Sequence, residues 1–115
     1  MARILIVDDE PDLRGMVRLI LELDGHQVHE AHHGRAALER LEEIEVDLVI
    51  TDVMMPIMSG SDLINRLRAE KSTAELPIMV LSASPHQVAN ANRVMHKPFD
   101  PGDLRDNVKG LVAAP

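Results

Sequence analysis

DLVITDVMMPIMSG, residues 47–60, decides how the rest of the chain is read. Leu48-Val49-Ile50-Thr51 is a strand-like run ending in Asp52, and Pro56 and Gly60 then forbid the strand from continuing. Open α/β sheets put their chemistry in the crevice beyond the C-terminal ends of the strands, which is where this reading places Asp52. Nothing in folding asks for a carboxylate there, because a buried unpaired charge costs several kcal/mol unless something compensates it. Asp52 is therefore a candidate functional residue on physical grounds alone.

Upstream, Arg3-Ile4-Leu5-Ile6-Val7 is a nearly continuous apolar run, as expected for a strand covered on both faces, and it ends in Asp8-Asp9-Glu10. Pro11 suits the first turn of a helix, Leu13, Met16, Val17, Ile20 and Leu23 follow at helical spacing, and Gly25 closes the segment. Gln27–Ala31 reads as a more polar strand near the sheet edge. Beyond His32-His33-Gly34, the residues Ala37, Leu38, Leu41 and Ile44 mark a second helix. Downstream of residues 47–60, Ser59 can cap a third helix with Leu63, Ile64 and Leu67 inward. Pro77–Leu81 is a fourth strand ending at Ser82, and Arg93–His96 a short fifth strand ending at Lys97-Pro98. Asp100 caps and Pro101 starts a last helix carrying Leu104, Val108, Leu111 and Val112. Strands alternating with helices predict a parallel sheet with right-handed crossovers and helices on both faces.

At 115 residues the chain is expected to be one domain, residues 1–115. Its core must be aliphatic, since Phe99 is its only phenylalanine and it has neither tyrosine nor tryptophan. A formal charge of −7 argues against direct binding to nucleic acid or to an anionic membrane. The absence of cysteine excludes disulfides and thiolate metal sites. No apolar run reaches the roughly 20 residues of a membrane span, and the N-terminus shows no signal-peptide pattern, so a cytoplasmic protein is the expectation.

Parallel strands bring their C-terminal ends to one edge of the sheet. Asp8 and Asp9 follow the first strand, Asp52 the third, Ser82 the fourth and Lys97 the fifth, so all five can share a pocket. Three carboxylates there would repel one another and raise at least one pKa unless a cation sits among them. Mg²⁺ fits, as a hard ion taking one or two carboxylates, a backbone oxygen and waters. Lys97 adds a second positive charge and Ser82 a hydroxyl, a set suited to a phosphoryl group in transfer and to an acyl phosphate on Asp52. Taken singly, each acidic residue or serine reads more readily as a helix cap, and Lys97 as a solvated surface lysine. Independent caps would not need to converge on one edge.

At these residues the chain resembles the receiver domain of two-component response regulators. The resemblance spans essentially the whole sequence as a single receiver domain. It is carried by Ile6-Val7-Asp8-Asp9-Glu10, Asp52-Val53-Met54-Met55-Pro56 with Ser59-Gly60, Leu81-Ser82-Ala83 and Lys97-Pro98-Phe99. It implies a flavodoxin-like, doubly wound, five-stranded parallel sheet of order 2-1-3-4-5. It also implies that Asp52 takes a phosphoryl group from a phosphohistidine on a sensor histidine kinase or phosphotransfer protein. Asp9, Asp52 and the backbone carbonyl of Met54 would bind Mg²⁺ directly, with Asp8 acting mainly through water. Lys97 would contact the phosphoryl group, Ser82 would move toward it, and the backbone N–H groups of Met54 and Ala83 would complete the cradle. Such a domain is a switch, assisting only its own phosphorylation and dephosphorylation, and passes its state to a downstream protein by population shift.

Two departures bear on the output. The family's aromatic three residues before the lysine is replaced by Val94, whose branched side chain is stiff at χ1. Ser82 and Lys97 are only 15 positions apart, short of the family pattern by about two turns of helix, so the fourth helix is expected to be shortened or missing. Ordering of residues 84–92 on phosphorylation or partner binding is the expected substitute. The alternative function is a receiver-shaped interaction module that does not cycle phosphate. An aspartyl phosphatase of the haloacid-dehalogenase type would want a second Asp where Met54 stands, and a flavin-binding protein would want a phosphate-cradling loop where Asp8-Asp9-Glu10 stand. His29, His32 and His33 read as solvated histidines rather than a metal site. Of Met54, Met55 and Met58, one or two read as core filler, with Met55 beside the site as a soft contact for a partner. Phe99 reads as an anchor for the last helix.

Overall fold

The five strands run parallel in the order β2-β1-β3-β4-β5, where β1 is Arg3–Val7, β2 Gln27–Ala31, β3 Leu48–Asp52, β4 Ile78–Ser82 and β5 Arg93–His96. Among the described residues four helices connect or follow them: α1 Pro11–Leu23, α2 Gly34–Glu43, α3 Gly60–Ala69 and α4 Pro101–Val112. The computed structural model describes residues 2–55, 57–83 and 88–112. This is the flavodoxin-like receiver fold, in the expected strand order. Between β4 and β5 the described residues, 83 and 88–92, form no helix; the rest of that expectation falls on 84–87, outside the described residues.

The sheet divides the core by the two-residue period of its strands. Ile4, Ile6, Leu48, Ile50, Met79 and Leu81 join Val17, Leu21, Leu104 and Val108 beneath α1 and α4, with Phe99 packed against them. Leu5, Val7, Val49, Ile78 and Val80 join Ala37, Leu63, Ile64 and Leu67 beneath α2 and α3. The central strands β3 and β4 are buried at every position. A sheet so covered leaves only its rims open to water.

On α1 the inward stripe is Leu13, Val17, Ile20 and Leu21, whereas Met16 is 45% and Leu23 79% exposed. The sequence spacing placed Met16 and Leu23 with the core residues. At about 100° per residue they lie on the shoulder of the stripe, and together with Leu19 they continue it round to the solvent side. Helix starts follow local chemistry. The Ser59 hydroxyl accepts from the Asp62 N–H at 3.1 Å, and Asp100 Oδ2 accepts from the N–H groups of Gly102 and Asp103. His33 caps α2, its Nδ1 accepting from the Ala36 N–H at 3.0 Å, a role that its reading as a solvated histidine missed.

The corner where α3, β4 and β5 meet is built around the Arg68 side chain. Arg68 donates from Nη1 to the carbonyls of Leu76 (2.6 Å), Ala74 (3.1 Å) and Thr73 (3.3 Å), and from Nε to that of Asn90 (3.1 Å). Its Nη2 reaches Asn92 Oδ1 at 2.9 Å, and the same oxygen accepts from the Ile78 N–H at 2.8 Å. The loops before β4 and before β5 are thus tied to the end of α3, while Val88, Ala91 and Val94 pack on the α2/α3 side of the core.

Candidate functional site

Asp8 follows the last residue of β1 and Asp52 is the last residue of β3. The two strands are neighbours, so their carboxylates meet at the C-terminal rim. Both side chains are enclosed, Asp8 at 3% and Asp52 at 9% exposure. Lys97, just past β5, reaches across β4 to place Nζ 3.3 Å from Asp52 Oδ2 and 3.6 Å from Asp8 Oδ2. Its own N–H donates to the Ser82 carbonyl at 2.7 Å, fixing the ends of β4 and β5 side by side. Ser82 is buried and Ala83 after it is exposed.

The loop after β3 is folded back on Asp52. Oδ1 of Asp52 accepts from the N–H of Val53 at 2.7 Å and, more weakly, of Met54 at 3.4 Å. The Gly60 N–H donates to the Val53 carbonyl at 2.9 Å and closes the loop. A Cβ on Gly60 would strike the Asp52 backbone carbonyl, so only glycine lets α3 start this close to the phosphoacceptor candidate. Within the loop the methionines divide. Met55 and Met58 pack against the α2/α3 core, and it is the Met54 side chain, 79% exposed, that faces water; the sequence reading had favoured Met55 for the outward contact.

A second layer holds the loop after β1. Asp8 Oδ1 accepts from the Glu10 N–H at 2.8 Å, and the Asp8 carbonyl accepts from Arg14 Nη1 at 2.6 Å. Arg14 Nε and Arg18 Nη1 each lie 2.7 Å from an oxygen of Glu30 on β2. Arg18, first through its hydrogen bond, and then Arg14 hold the Glu30 carboxyl below its ordinary value against some desolvation. The signal for this layer, two arginines one helical turn apart, is visible in the sequence, but their common partner on β2 is not.

Carboxylate oxygens of Asp8, Glu10 and Asp52 lie within 4.8 Å of one another. The sequence reading named Asp9 rather than Glu10 in this role. Asp9 is exposed and stands outside the group, whereas Glu10 enters it from an extended backbone (φ −94°, ψ 109°). Burial pushes the Asp8 carboxyl above its ordinary value; the Glu10 N–H and Lys97 oppose this, and the charges of Asp52 and Glu10 add to it. Three carboxylates facing one ammonium leave the rim with excess negative charge. An all-oxygen donor set of this kind fits a hard divalent cation such as Mg²⁺. His29, His32 and His33 belong to no group of three potential ligands among the described residues. His29 instead faces Arg40 at 3.2 Å, and desolvation first, then Arg40, lower its pKa. Val94, the expected switch position, is half-buried on β5 opposite Val80.

Three comparisons with known proteins agree on what this chain is similar to. A family model described as the response regulator receiver domain matches residues 4–109. The sensor histidine kinase TmoS of Ectopseudomonas mendocina is 40% identical over 96% of this chain, which spans 12% of that protein's length. The chain also spans about half, 51%, of the Escherichia coli phosphate regulon transcriptional regulatory protein PhoB, at 33% identity over 96% of the chain. Among solved structures, a putative response regulator from Chloroflexus aurantiacus superposes with a TM-score of 0.93 at 33% identity, over 98% of both chains. The response regulator TrrA of Thermotoga maritima, solved in complex with Mg²⁺-BeF, superposes with a TM-score of 0.88 at 33% identity, over 96% of this chain and 99% of its own.

Proposed function

Because the chain belongs to the response regulator receiver family, a family of signalling switches that pair with sensor histidine kinases, we propose that Asp52 is its phosphoryl acceptor. The observation that carries this reading is the Lys97 ammonium set between the Asp52 and Asp8 carboxylates at 3.3 and 3.6 Å. An Asp52 carboxylate oxygen attacks phosphorus as the phosphorus–nitrogen bond of a phosphohistidine breaks. The bonding pair returns to the imidazole, and an acyl phosphate forms on Asp52. Lys97 then faces the new phosphoryl oxygens, and the N–H groups of Val53 and Met54 hold the Asp52 carboxylate in place for attack.

Asp9 and Asp52, with the backbone carbonyl of Met54 and with Asp8 through water, would hold Mg²⁺ here. Glu10 adds negative charge beside them. When bound, Mg²⁺ supplies neutralisation of the charge on the transferred group. The Mg²⁺-BeF complex of TrrA supports such a pocket. Ser82, buried at the end of β4 and followed by Ala83, follows the added charge in this reading, and the shift passes to a downstream protein. The kinase or phosphotransfer protein meets this rim from outside. A cytoplasmic setting accords with the finding that no described helix is long and apolar enough to cross a membrane.

A second reading, a receiver-shaped interaction module that does not cycle phosphate, draws on Val94 and on the helix-free described residues between β4 and β5. Incubation with phosphoramidate and Mg²⁺, followed by intact-mass measurement, separates the two. The proposed function expects one added phosphoryl mass that is absent from Asp52→Ala. An unmodified wild-type chain would leave the second reading standing.

A further inference from the structure

Five large apolar side chains are widely exposed among the described residues. Three lie on α1, and the other two, Met54 at 79% and Ile57 at 73%, share the loop between β3 and α3. Ile57 is the unusual one. Its φ is +71°, the left-handed region, where a β-branched side chain crowds its own backbone. Apolar burial does not offset that strain, because most of the side chain is in water. Glycine or asparagine would occupy the position more easily and would not expose a hydrocarbon surface. Strain and exposure together mark a side chain suited to a contact outside the isolated domain.

The geometry of the loop says which contact. Its two ends are drawn together by the Gly60 N–H on the Val53 carbonyl, and its first residues hold Asp52 Oδ1. The loop therefore stands at the mouth of the pocket. A macromolecule bringing a phosphoryl group to Asp52, whose side chain is 9% exposed, must come down over this loop, whereas a small donor need not. On the loop after β1, at the same rim, Asp9 and Glu10 are exposed. The pattern is an apolar contact on one side and negative charge on the other.

We propose that Ile57, with Met54 on the same loop, is a specificity-determining contact for the protein phosphodonor. The matching donor carries an apolar patch next to its phosphohistidine and basic side chains toward Asp9 and Glu10. This inference rests on Asp52 being the acceptor. Ile57 is outside the chemistry itself, so it discriminates between donors without changing the intrinsic reactivity of Asp52.

The test compares wild type with Ile57→Gly, which relieves the positive φ and removes the contact, and with Ile57→Val, which keeps a branched apolar side chain. Each is phosphorylated by phosphoramidate with Mg²⁺, and separately by the fastest phosphohistidine donor to wild type within a set of autophosphorylated kinase cores. Ile57→Gly is expected to melt higher than wild type and to match it with phosphoramidate. From the kinase core it should lose about tenfold in transfer rate at subsaturating receiver, the effect of removing one well-buried aliphatic contact. Ile57→Val should recover most of that loss. Equal transfer from the kinase core to wild type and Ile57→Gly would overturn the contact while leaving Asp52 as acceptor. Failure of wild type to take a phosphoryl group from phosphoramidate would remove the acceptor reading and this inference with it.

Discussion

Lys97 and Arg68 are both cations surrounded by oxygen, and their surroundings differ in kind. Lys97 faces the carboxylates of Asp52 and Asp8, with Glu10 close to both, so one positive charge answers three negative ones. Arg68 faces four backbone carbonyls and an asparagine oxygen, acceptors that need a donor but carry no net charge. At the rim the charges do not balance, and the imbalance can be relieved only by something that arrives. At the α3–β4–β5 corner every partner is supplied by the fold. The first arrangement leaves work for a cation and a phosphoryl group; the second leaves none.

The sharpest way to break this contrast is to remove Arg68. Arg68→Ala strands several part-buried carbonyls and should cost about 3 kcal/mol, read as a lower midpoint in urea denaturation. At temperatures where it is folded, its phosphorylation by phosphoramidate should match wild type. A loss of phosphorylation without a loss of stability would make the corner part of the chemistry. A smaller change of opposite sign is expected at the rim. Asp8→Asn removes a buried charge from an over-acidic cluster and should raise stability at neutral pH by about 1 kcal/mol in the absence of divalent cations.

The pH dependence follows from the direction of the Asp8 shift. The folded chain holds its proton to higher pH than the unfolded chain does, so wild-type stability falls as pH rises from the ordinary value of 3.8 through the raised folded value. In Asp8→Asn that fall should vanish. The smallest effect belongs to Glu30, where the sign reverses. Its carboxyl is held below the ordinary value of 4.5, first by the Arg18 hydrogen bond, so the stabilisation is complete above that value and is lost as pH falls through the lower folded one. Glu30→Gln should cost about 0.5 kcal/mol near neutrality and flatten the acid limb of a melting-temperature profile.

Much of this was legible in the sequence because it depends on short-range pattern. The apolar runs of β1, β3 and β4 and the break at Pro56 and Gly60 fix strands and their ends. A parallel sheet then brings Asp8, Asp52 and Lys97 to one rim with no further information. What was not legible depends on side-chain direction. The exposure of Met16 and Leu23 turns on where the α1 stripe is centred, since spacing alone admits both shoulders. Which of Asp9 and Glu10 has its carboxylate close to those of Asp8 and Asp52 before a cation arrives depends on the turn of a two-residue link. The Arg68 corner is a long side chain meeting carbonyls, which every residue possesses, so no residue type announces it.

Phe99 gives this aliphatic molecule an experimental convenience. The chain contains one phenylalanine and no tyrosine or tryptophan, and that ring packs against the α1/α4 side of the core two residues beyond Lys97. Fluorinated phenylalanine supplied during expression would therefore yield one ¹⁹F resonance, assigned without mutagenesis. Its shift would track the lysine's segment as the rim changes state.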